Sequence, residues 1–93
     1  MKKHTQVYIN WANSVGTYPE DIQCEVCGKE AGSSFIMDIH HIDNRGAGGS
    51  KTKDYIENLM ALCRSCHDKY GDKKQFKSFL TNIHKVFLFN KLN

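Results

Sequence analysis

Apolar and polar positions alternate at helical spacing near the start of the chain. In residues 4–15, Val7, Tyr8 and Trp11 recur on one face of a 3.6-residue repeat, and polar side chains occupy the other face. Gly16 follows the last periodic positions, and glycine favours the backbone conformation that ends a helix. The pattern therefore predicts a first helix over residues 4–15.

A second helical pattern occupies residues 72–90. Asp72, followed three residues later by Gln75, fits a capping box at the start of a helix. One face of this pattern is apolar and carries Phe76, Phe79, Leu80, Ile83 and Phe87. Such a face is typical of a helix that packs on the protein core, and less often of one that binds a partner. We expect a core helix.

Between the two helices the pattern changes to short apolar runs. Residues 35–42 are rich in Ile, Phe and Met, and residues 59–62 read Leu-Met-Ala-Leu, so both are typical of strands. Residues 43–50 contain three glycines and predict a loop between the strands. Residues 64–70 fit a short helix that Gly71 closes. These elements predict an α+β fold.

Length and composition limit what the chain can be. With 93 residues, 40% of them hydrophobic, it makes a single small domain over residues 1–93 with a thin core. No apolar run approaches the roughly 20 residues of a membrane span, and polar residues interrupt any signal-like run after Met1. We expect a cytoplasmic, reducing compartment and no membrane partner. In that setting, closely spaced cysteines indicate metal binding rather than disulfides.

The four cysteines form two pairs of identical spacing, Cys24 with Cys27 and Cys63 with Cys66. Four thiolates so arranged can close a tetrahedral Zn²⁺ site with sulfur–metal distances of about 2.3 Å. A closed site leaves no position for a substrate, so we expect this zinc to be structural. The alternative is a set of unrelated or redox-active cysteines, and redox use of the motif requires a thioredoxin-like fold for which this chain is short.

Two neighbouring histidines, His40 and His41, end the first predicted strand, and His67 directly follows Cys66. A neutral imidazole is suited to accepting a proton from water at neutral pH. Adjacent side chains of a regular strand point to opposite faces, so both histidines reach one phosphate only if the strand twists or breaks. On a helix, Cys66 and His67 diverge by about 100° and can serve two metal sites. The alternative for His67 is a zinc ligand that replaces a cysteine.

Taken in order, these residues resemble the HNH endonuclease family. The resemblance is carried by a Cys-x-x-Cys pair, the strand end His40-His41-Ile42, a Gly-Gly loop, Asn58-Leu59, and a Leu-Cys-x-x-Cys-His run that ends at His67. It covers about residues 24–70 and leaves the two terminal helices outside. It implies a ββα-metal (His-Me finger) core, in which a strand–loop–strand hairpin carries one helix and structural zinc pins its ends.

The resemblance also implies a role for each site residue. His41 would be the general base, and His40 and His67 would hold one divalent cation, either Mg²⁺ or Mn²⁺. Asn58 would orient the base or brace the loop, whereas capping a turn is the ordinary alternative for an asparagine. The implied activity is hydrolysis of phosphodiester bonds in DNA, leaving 5′-phosphate and 3′-hydroxyl ends.

Positive charge is concentrated after the histidine pair. Residues 1–44 carry three Lys or Arg against six Asp or Glu, whereas residues 45–77 carry eight against four. A basic segment beside the site suits a polyanion, here DNA. We expect phosphate contacts from Arg45, Lys51, Lys53 and Arg64.

Two further expectations complete the interpretation. His4 and His84 lie on the flanking helices and are expected to be ordinary surface residues. A rival function from another class is a non-catalytic zinc module that binds nucleic acid through the same knuckles. In that case chelating the zinc would unfold the chain, but added Mg²⁺ would change nothing.

Overall fold

The structure is a computed structural model that describes residues 2–43 and 53–92. Its helices and strands are α1 (Lys3–Ser14), β1 (Asp38–His41), β2 (Leu59–Leu62), α2 (Arg64–Tyr70) and α3 (Lys77–Leu92). Short 3₁₀ turns at Pro19–Asp21, Ile56–Asn58 and Lys74–Phe76 connect some of them. The predicted α+β fold is confirmed.

The two strands form an antiparallel hairpin. Asp38 pairs with Leu62 at one end, and His41 pairs with Leu59 at the other. All four residues of β2 are buried, because both α1 and α2 pack against this hairpin. A strand covered in this way reads as a continuous apolar run, which explains the Leu-Met-Ala-Leu sequence. β1 is shorter than the predicted 35–42 because Phe35 has a φ of 49°, which extended backbone does not allow.

The core is small and centres on β2. It combines Tyr8, Ile9 and Ala12 from α1 with Leu80 from α3, and all four are buried. Burying apolar surface contributes roughly 25 cal/mol per Å², so a core of this size leaves a thin margin of stability. A further link between the helices and the hairpin is therefore useful.

That link is a buried polar network around Glu25. Its carboxylate accepts hydrogen bonds from Tyr8 Oη at 2.6 Å, from the Ala61 backbone N–H at 3.0 Å and from His84 Nδ1 at 2.5 Å. His84 Nε2 donates to the Ile56 carbonyl at 2.7 Å. Because both ring nitrogens face acceptors, the network favours the imidazolium form of His84. It joins α1, β2 and α3 through one carboxylate.

The expectation that His84 is a surface residue is wrong, since its side chain is only 1% exposed. Burial alone would lower the pKa of His84, but the hydrogen bond and charge of Glu25 outweigh burial and raise it. Burial, together with the Glu25 carboxylate, also raises the pKa of Tyr8, so its hydroxyl stays protonated.

The start of α3 differs from the prediction. Asp72 and Gln75 form no capping box, because Asp72 adopts a φ of 58° and the helix begins only at Lys77. α3 also buries a narrower stripe than a core helix would. Several of its large apolar side chains are exposed, namely Phe79, Val86, Phe89 and Leu92. Among the described residues, no helix is long and apolar enough to cross a membrane.

Candidate active site

The four cysteines converge on one point. Their Sγ atoms all lie within 4.8 Å of one another, and Cys27 Sγ is 3.6 Å from Cys63 Sγ. In a tetrahedral zinc site with sulfur–metal distances of about 2.3 Å, neighbouring sulfurs lie about 3.8 Å apart. All four thiols are free of disulfides. The cluster therefore has the donor set and the spacing that structural zinc requires.

Backbone geometry builds the cluster. Gly28, at a φ of 85°, turns the chain after Cys27 and donates its N–H to the Cys24 carbonyl at 2.9 Å. Burial opposes charge on Cys24, but hydrogen bonds from the backbone N–H groups of Cys27, Cys63 and Val26 outweigh it and lower the pKa of Cys24 to about 7. Cys63 caps α2 by accepting the Cys66 N–H at 3.5 Å.

The next residue on α2, His67, faces a different cluster. Donor atoms of His40, His67 and Asp72 lie within 4.8 Å of one another, and the two imidazole rings are 5.1 Å apart. His67 presents Nε2 to Asp72 at 3.9 Å and Nδ1 to the Asp38 carboxylate at 3.2 Å. A histidine that binds a metal through one nitrogen usually faces a carboxylate with the other. The arrangement fits a divalent cation.

His40 is suited to ligate a cation because it is buried on β1. Burial lowers the pKa of His40, so the imidazole is neutral at pH 7 and keeps a lone pair. Sequence reasoning missed Asp72 as a member of this cluster, since its position suggested a helix cap. The only signal was that Asp72 follows Gly71, where a tight turn redirects the chain.

Gly71 lies directly against His67. A Cβ atom on residue 71 would lie 2.6 Å from the His67 backbone carbonyl oxygen and would also collide with the imidazole ring. The φ of Gly71 is −68°, an ordinary value, so glycine is needed here for space and not for backbone freedom. Its N–H donates to the same His67 carbonyl at 2.8 Å and closes the last turn of α2.

His41 belongs to another cluster. Its Nε2 lies 2.6 Å from Asp54 Oδ1, and its ring centroid is 4.4 Å from that of His4. Donor atoms of these three residues lie within 4.8 Å of one another. Adjacent strand residues point to opposite sides, and His40 and His41 accordingly enter separate clusters. The Asp54 side chain is only 2% exposed.

Sequence reasoning missed both neighbours of His41. His4 is half-buried and its ring contacts His41, so its expected place on the open surface is wrong. Asp54 follows the glycine-rich loop and offers no sequence signal beyond its position between that loop and Asn58.

Asn58 binds the two ends of the glycine-rich loop. It is buried, its Oδ1 accepts the Asp43 N–H at 2.7 Å, and its Nδ2 donates to the carbonyls of Asp43 at 3.1 Å and Lys53 at 3.0 Å. These contacts form a brace between the segments on either side of the loop, and a role for Asn58 in catalysis stays a prediction. Ion pairs reinforce the brace, because the Asp43 carboxylate contacts Lys53 Nζ at 2.6 Å and Lys77 Nζ at 3.0 Å. Both lysines lower the pKa of Asp43.

The four predicted phosphate contacts have different outcomes. Arg64 is 67% exposed and reaches the Asp38 carboxylate at 3.3 Å, on the side of α2 that carries His67. Lys53 lies at the loop end described above, paired with Asp43. Arg45 and Lys51 lie outside the described residues.

Two cavities open beside the histidines. One, of about 280 Å³, is lined by His40 and Asp72 together with Lys73, Lys74 and Lys77, three lysines that sequence reasoning missed. The other, of about 340 Å³, is lined by polar side chains that include Lys2, His4, Arg64 and His67. In both linings the lysines and arginines outnumber the carboxylates, which suits an anionic ligand.

The chain is similar to a known protein family and to a curated relative. The sequence model of the family described as HNH endonuclease matches residues 24–73. The type IV methyl-directed restriction enzyme EcoKMcrA of Escherichia coli strain K12 is 31% identical over 67 residues, which cover 66% of this chain. The matching region covers 23% of that relative, so the chain spans about a quarter of its length. No solved structure matches the chain.

Proposed function

The chain belongs to the HNH endonuclease family, and from this premise we propose that it is a metal-dependent endonuclease that hydrolyses phosphodiester bonds in DNA. The observation that supports this best is the pairing of His41 with a buried carboxylate, one residue from a second cluster that can hold a cation. A base held in one orientation beside a cation site is what in-line attack on a phosphodiester requires.

In this proposal His41 accepts a proton from water. If Nε2–H donates to Asp54 Oδ1 at 2.6 Å, the lone pair lies on Nδ1, and the ring is held in a single tautomer. The Asp54 carboxylate would also stabilise the imidazolium that forms when the proton arrives. Asp54 thus acts as a positioning residue, and Asn58 holds the adjacent loop ends in place.

His40, His67 and Asp72 would hold the catalytic cation. Mg²⁺ and Mn²⁺ are both possible ions, and two imidazoles with one carboxylate favour Mn²⁺, since Mg²⁺ prefers oxygen donors. When bound, the ion would offset the charge that develops on the phosphate and stabilise the departing oxygen. Asp38 would orient His67 from behind, through Nδ1.

The four cysteines would hold a separate, structural Zn²⁺. A site closed by four thiolates offers no position to a substrate and keeps its ligands only where thiols stay reduced. We therefore place the protein in a reducing compartment.

DNA would lie along the two basic cavities. Arg64 and Lys53 remain candidates for phosphate contact, joined by Lys73, Lys74 and Lys77; Arg45 and Lys51 remain predictions. Such contacts give affinity without sequence reading. The name of the relative describes methyl-directed restriction, but this chain matches a quarter of that protein, and we propose for it only the cutting of DNA.

Cleavage of supercoiled plasmid tests the proposal. Wild type and His41→Ala are incubated with Mg²⁺, with Mn²⁺ and with EDTA. We expect metal-dependent nicking or linearisation by wild type and a loss of about 10²–10⁴-fold in His41→Ala, the usual contribution of a general base. Nicking that survives His41→Ala would exclude His41 as the base. DNA binding with no cleavage under any metal would favour the non-catalytic zinc module.

A further inference from the structure

The cluster of His4, His41 and Asp54 contains one residue more than is needed to orient His41 as a base. Its members come from α1, from the end of β1 and from the segment just before the 3₁₀ turn at Ile56–Asn58. A carboxylate is sufficient to orient His41, and Asp54 provides it at 2.6 Å. His4 adds a second imidazole with a ring-to-ring distance of 4.4 Å. The cluster therefore offers three metal-binding donors rather than two.

We propose that His4, His41 and Asp54 form a third cation site, separate from the four-cysteine site and from the site at His40. Two imidazoles and one carboxylate favour borderline transition-metal ions such as Zn²⁺, Co²⁺ or Ni²⁺ over Mg²⁺. The three donor atoms already lie within 4.8 Å of one another, and tetrahedral Zn²⁺ places such donors about 3.3 Å apart. Only small side-chain movements are needed.

The environment supports the site in two further ways. The side chains of Asp54 and His41 are only 2% and 10% exposed, so neighbouring residues restrict the movement of both donors. His4 is half-buried and lines the cavity of about 340 Å³, so its side of the cluster is open to solvent. An ion bound here would lie where the hydrogen bond now joins Nε2 of His41 to Asp54.

This site has a regulatory consequence, which rests on the proposed function. An ion on His41 fixes the ring and places a positive charge beside it, so the imidazole can no longer accept a proton from water. Zn²⁺ can also enter the His40 cluster, because the two clusters have the same donor set. Zn²⁺ at the His4 cluster would stop cleavage even while the His40 cluster keeps its Mn²⁺ or Mg²⁺. The ion that holds the fold at the cysteines would then inhibit the enzyme when it is in excess.

Zinc binding is measured first, without reference to activity. Protein loaded with Zn²⁺ at the cysteines and dialysed free of excess metal is titrated with Zn²⁺, and the imidazole ¹⁵N resonances are followed by NMR. We expect the resonances of His4 and His41 to shift together in one titration step. In His4→Gln the affinity of that step should fall by more than about tenfold, since one of three donors is gone. Unchanged zinc affinity at His41 in His4→Gln, or no shift of His4 in wild type, would overturn the proposal.

Asp72→Asn is the matched control, because it removes one donor from the other histidine cluster. It should weaken zinc binding at His40 and His67 and leave the joint shift of His4 and His41 unchanged. Loss of that joint shift in Asp72→Asn would mean that one ion serves both clusters, which contradicts two separate sites. Thermal melts of both variants establish that they are folded.

Inhibition is measured second. Plasmid cleavage in Mg²⁺ is titrated with Zn²⁺, and each variant is normalised to its own zinc-free rate. The zinc concentration for half-inhibition should rise more than about tenfold in His4→Gln; an unchanged value would overturn the regulatory consequence. If no variant cleaves DNA, the proposed function fails, but the NMR titration still decides whether the cation site exists.

Discussion

The cysteine cluster and the histidine clusters are built on the same hairpin and helix, yet they suit different tasks. Four identical soft donors surround one point and can complete a tetrahedron. Each histidine cluster offers three mixed donors, which leave coordination positions for water or phosphate. Cys66 and His67, neighbours on α2, lie in one cluster of each kind. Four donors that fill a metal's coordination shell can therefore stabilise the fold, whereas three donors leave positions on the metal at which a reaction can take place.

The two regions also have different supports. The knuckle of Cys24 and Cys27 encloses Glu25, whose buried carboxylate ties α1, β2 and α3 together. The histidine end depends on Asn58, which holds the two ends of one loop. The cysteine cluster is therefore linked to three elements of the fold, whereas the support of the histidine clusters is confined to one loop. The predictions below test this contrast.

Removing a cysteine should have the largest effect. In Cys24→Ser the zinc site loses a ligand; structural zinc supplies about 10–16 kcal/mol in zinc-finger peptides, comparable to the roughly 5–15 kcal/mol that stabilises a whole domain. We expect no cooperative melting transition by circular dichroism. His67→Ala should keep a transition close to that of wild type while losing cleavage. An equal loss of melting temperature in both variants would place His67 in the zinc site.

A smaller effect is expected at the proposed third ligand of the catalytic cation. Asp72→Asn keeps the shape of the side chain but removes its charge, and should weaken Mn²⁺ binding by about 10–100-fold in isothermal titration. Asp68→Asn is the control, because Asp68 is an exposed carboxylate on the same segment, 4.0 Å from Arg64. Equal weakening in both variants would mean that only general negative charge matters.

A still smaller effect is expected when the hydrogen bonds of Asn58 to the loop ends are removed. Asn58→Ala removes three hydrogen bonds and leaves the part-buried Asp43 N–H without its acceptor. At about 1 kcal/mol for each bond, the free energy of unfolding should fall by roughly 2–3 kcal/mol in urea titrations. Asn82→Ala, on the exposed side of α3, should stay within about 0.5 kcal/mol of wild type. A loss at Asn58 no larger than at Asn82 would contradict the brace.

The smallest expected effect is the pH dependence of the stability that the ion pair of His84 and Glu25 contributes. The pKa of His84 is raised above its ordinary 6.5 in the fold, so the ion pair with Glu25 contributes fully below pH 6.5 and is lost as pH rises through the folded pKa. The stability difference between wild type and His84→Gln should therefore shrink from pH 6 to pH 9. The loss is modest because neutral histidine keeps one of its hydrogen bonds. A difference that grows with pH would reverse the sign of the argument.

The parts of this structure that the sequence predicted are those with a repeated or ordered motif. The bounds of β2 and α2 matched because Cys63 caps one end of α2 and Gly71 follows the other. The convergence of the four cysteines could be predicted because two Cys-x-x-Cys pairs in a small domain most commonly bind one zinc ion. The family was likewise carried by ordered residues around His40 and His67.

The parts that were missed depend on contacts between distant segments. Asp54 and Asp72 are two among ten acidic residues, and nothing local marks them as partners of histidines. His84 lay on an apolar face, but hydrophobic patterning counts it as polar and cannot identify a buried Glu25 that lies 59 residues away. The spacing between Asp72 and Gln75 predicts a helix cap. The φ of 58° at Asp72 is set instead by the turn after Gly71, which the residue type does not reveal.

The tight approach of Gly71 to His67 has a consequence for how the chain tolerates mutation. In a saturation library scored for both abundance and DNA cleavage, position 71 should reject every side chain in the cleavage score, since any Cβ displaces the imidazole or its backbone carbonyl. Its abundance score should suffer less, because the four cysteines hold α2 from its other end. Position 71 would then combine ordinary backbone angles with intolerance of every side chain. That combination identifies a residue that must stay small to leave room for the His67 imidazole.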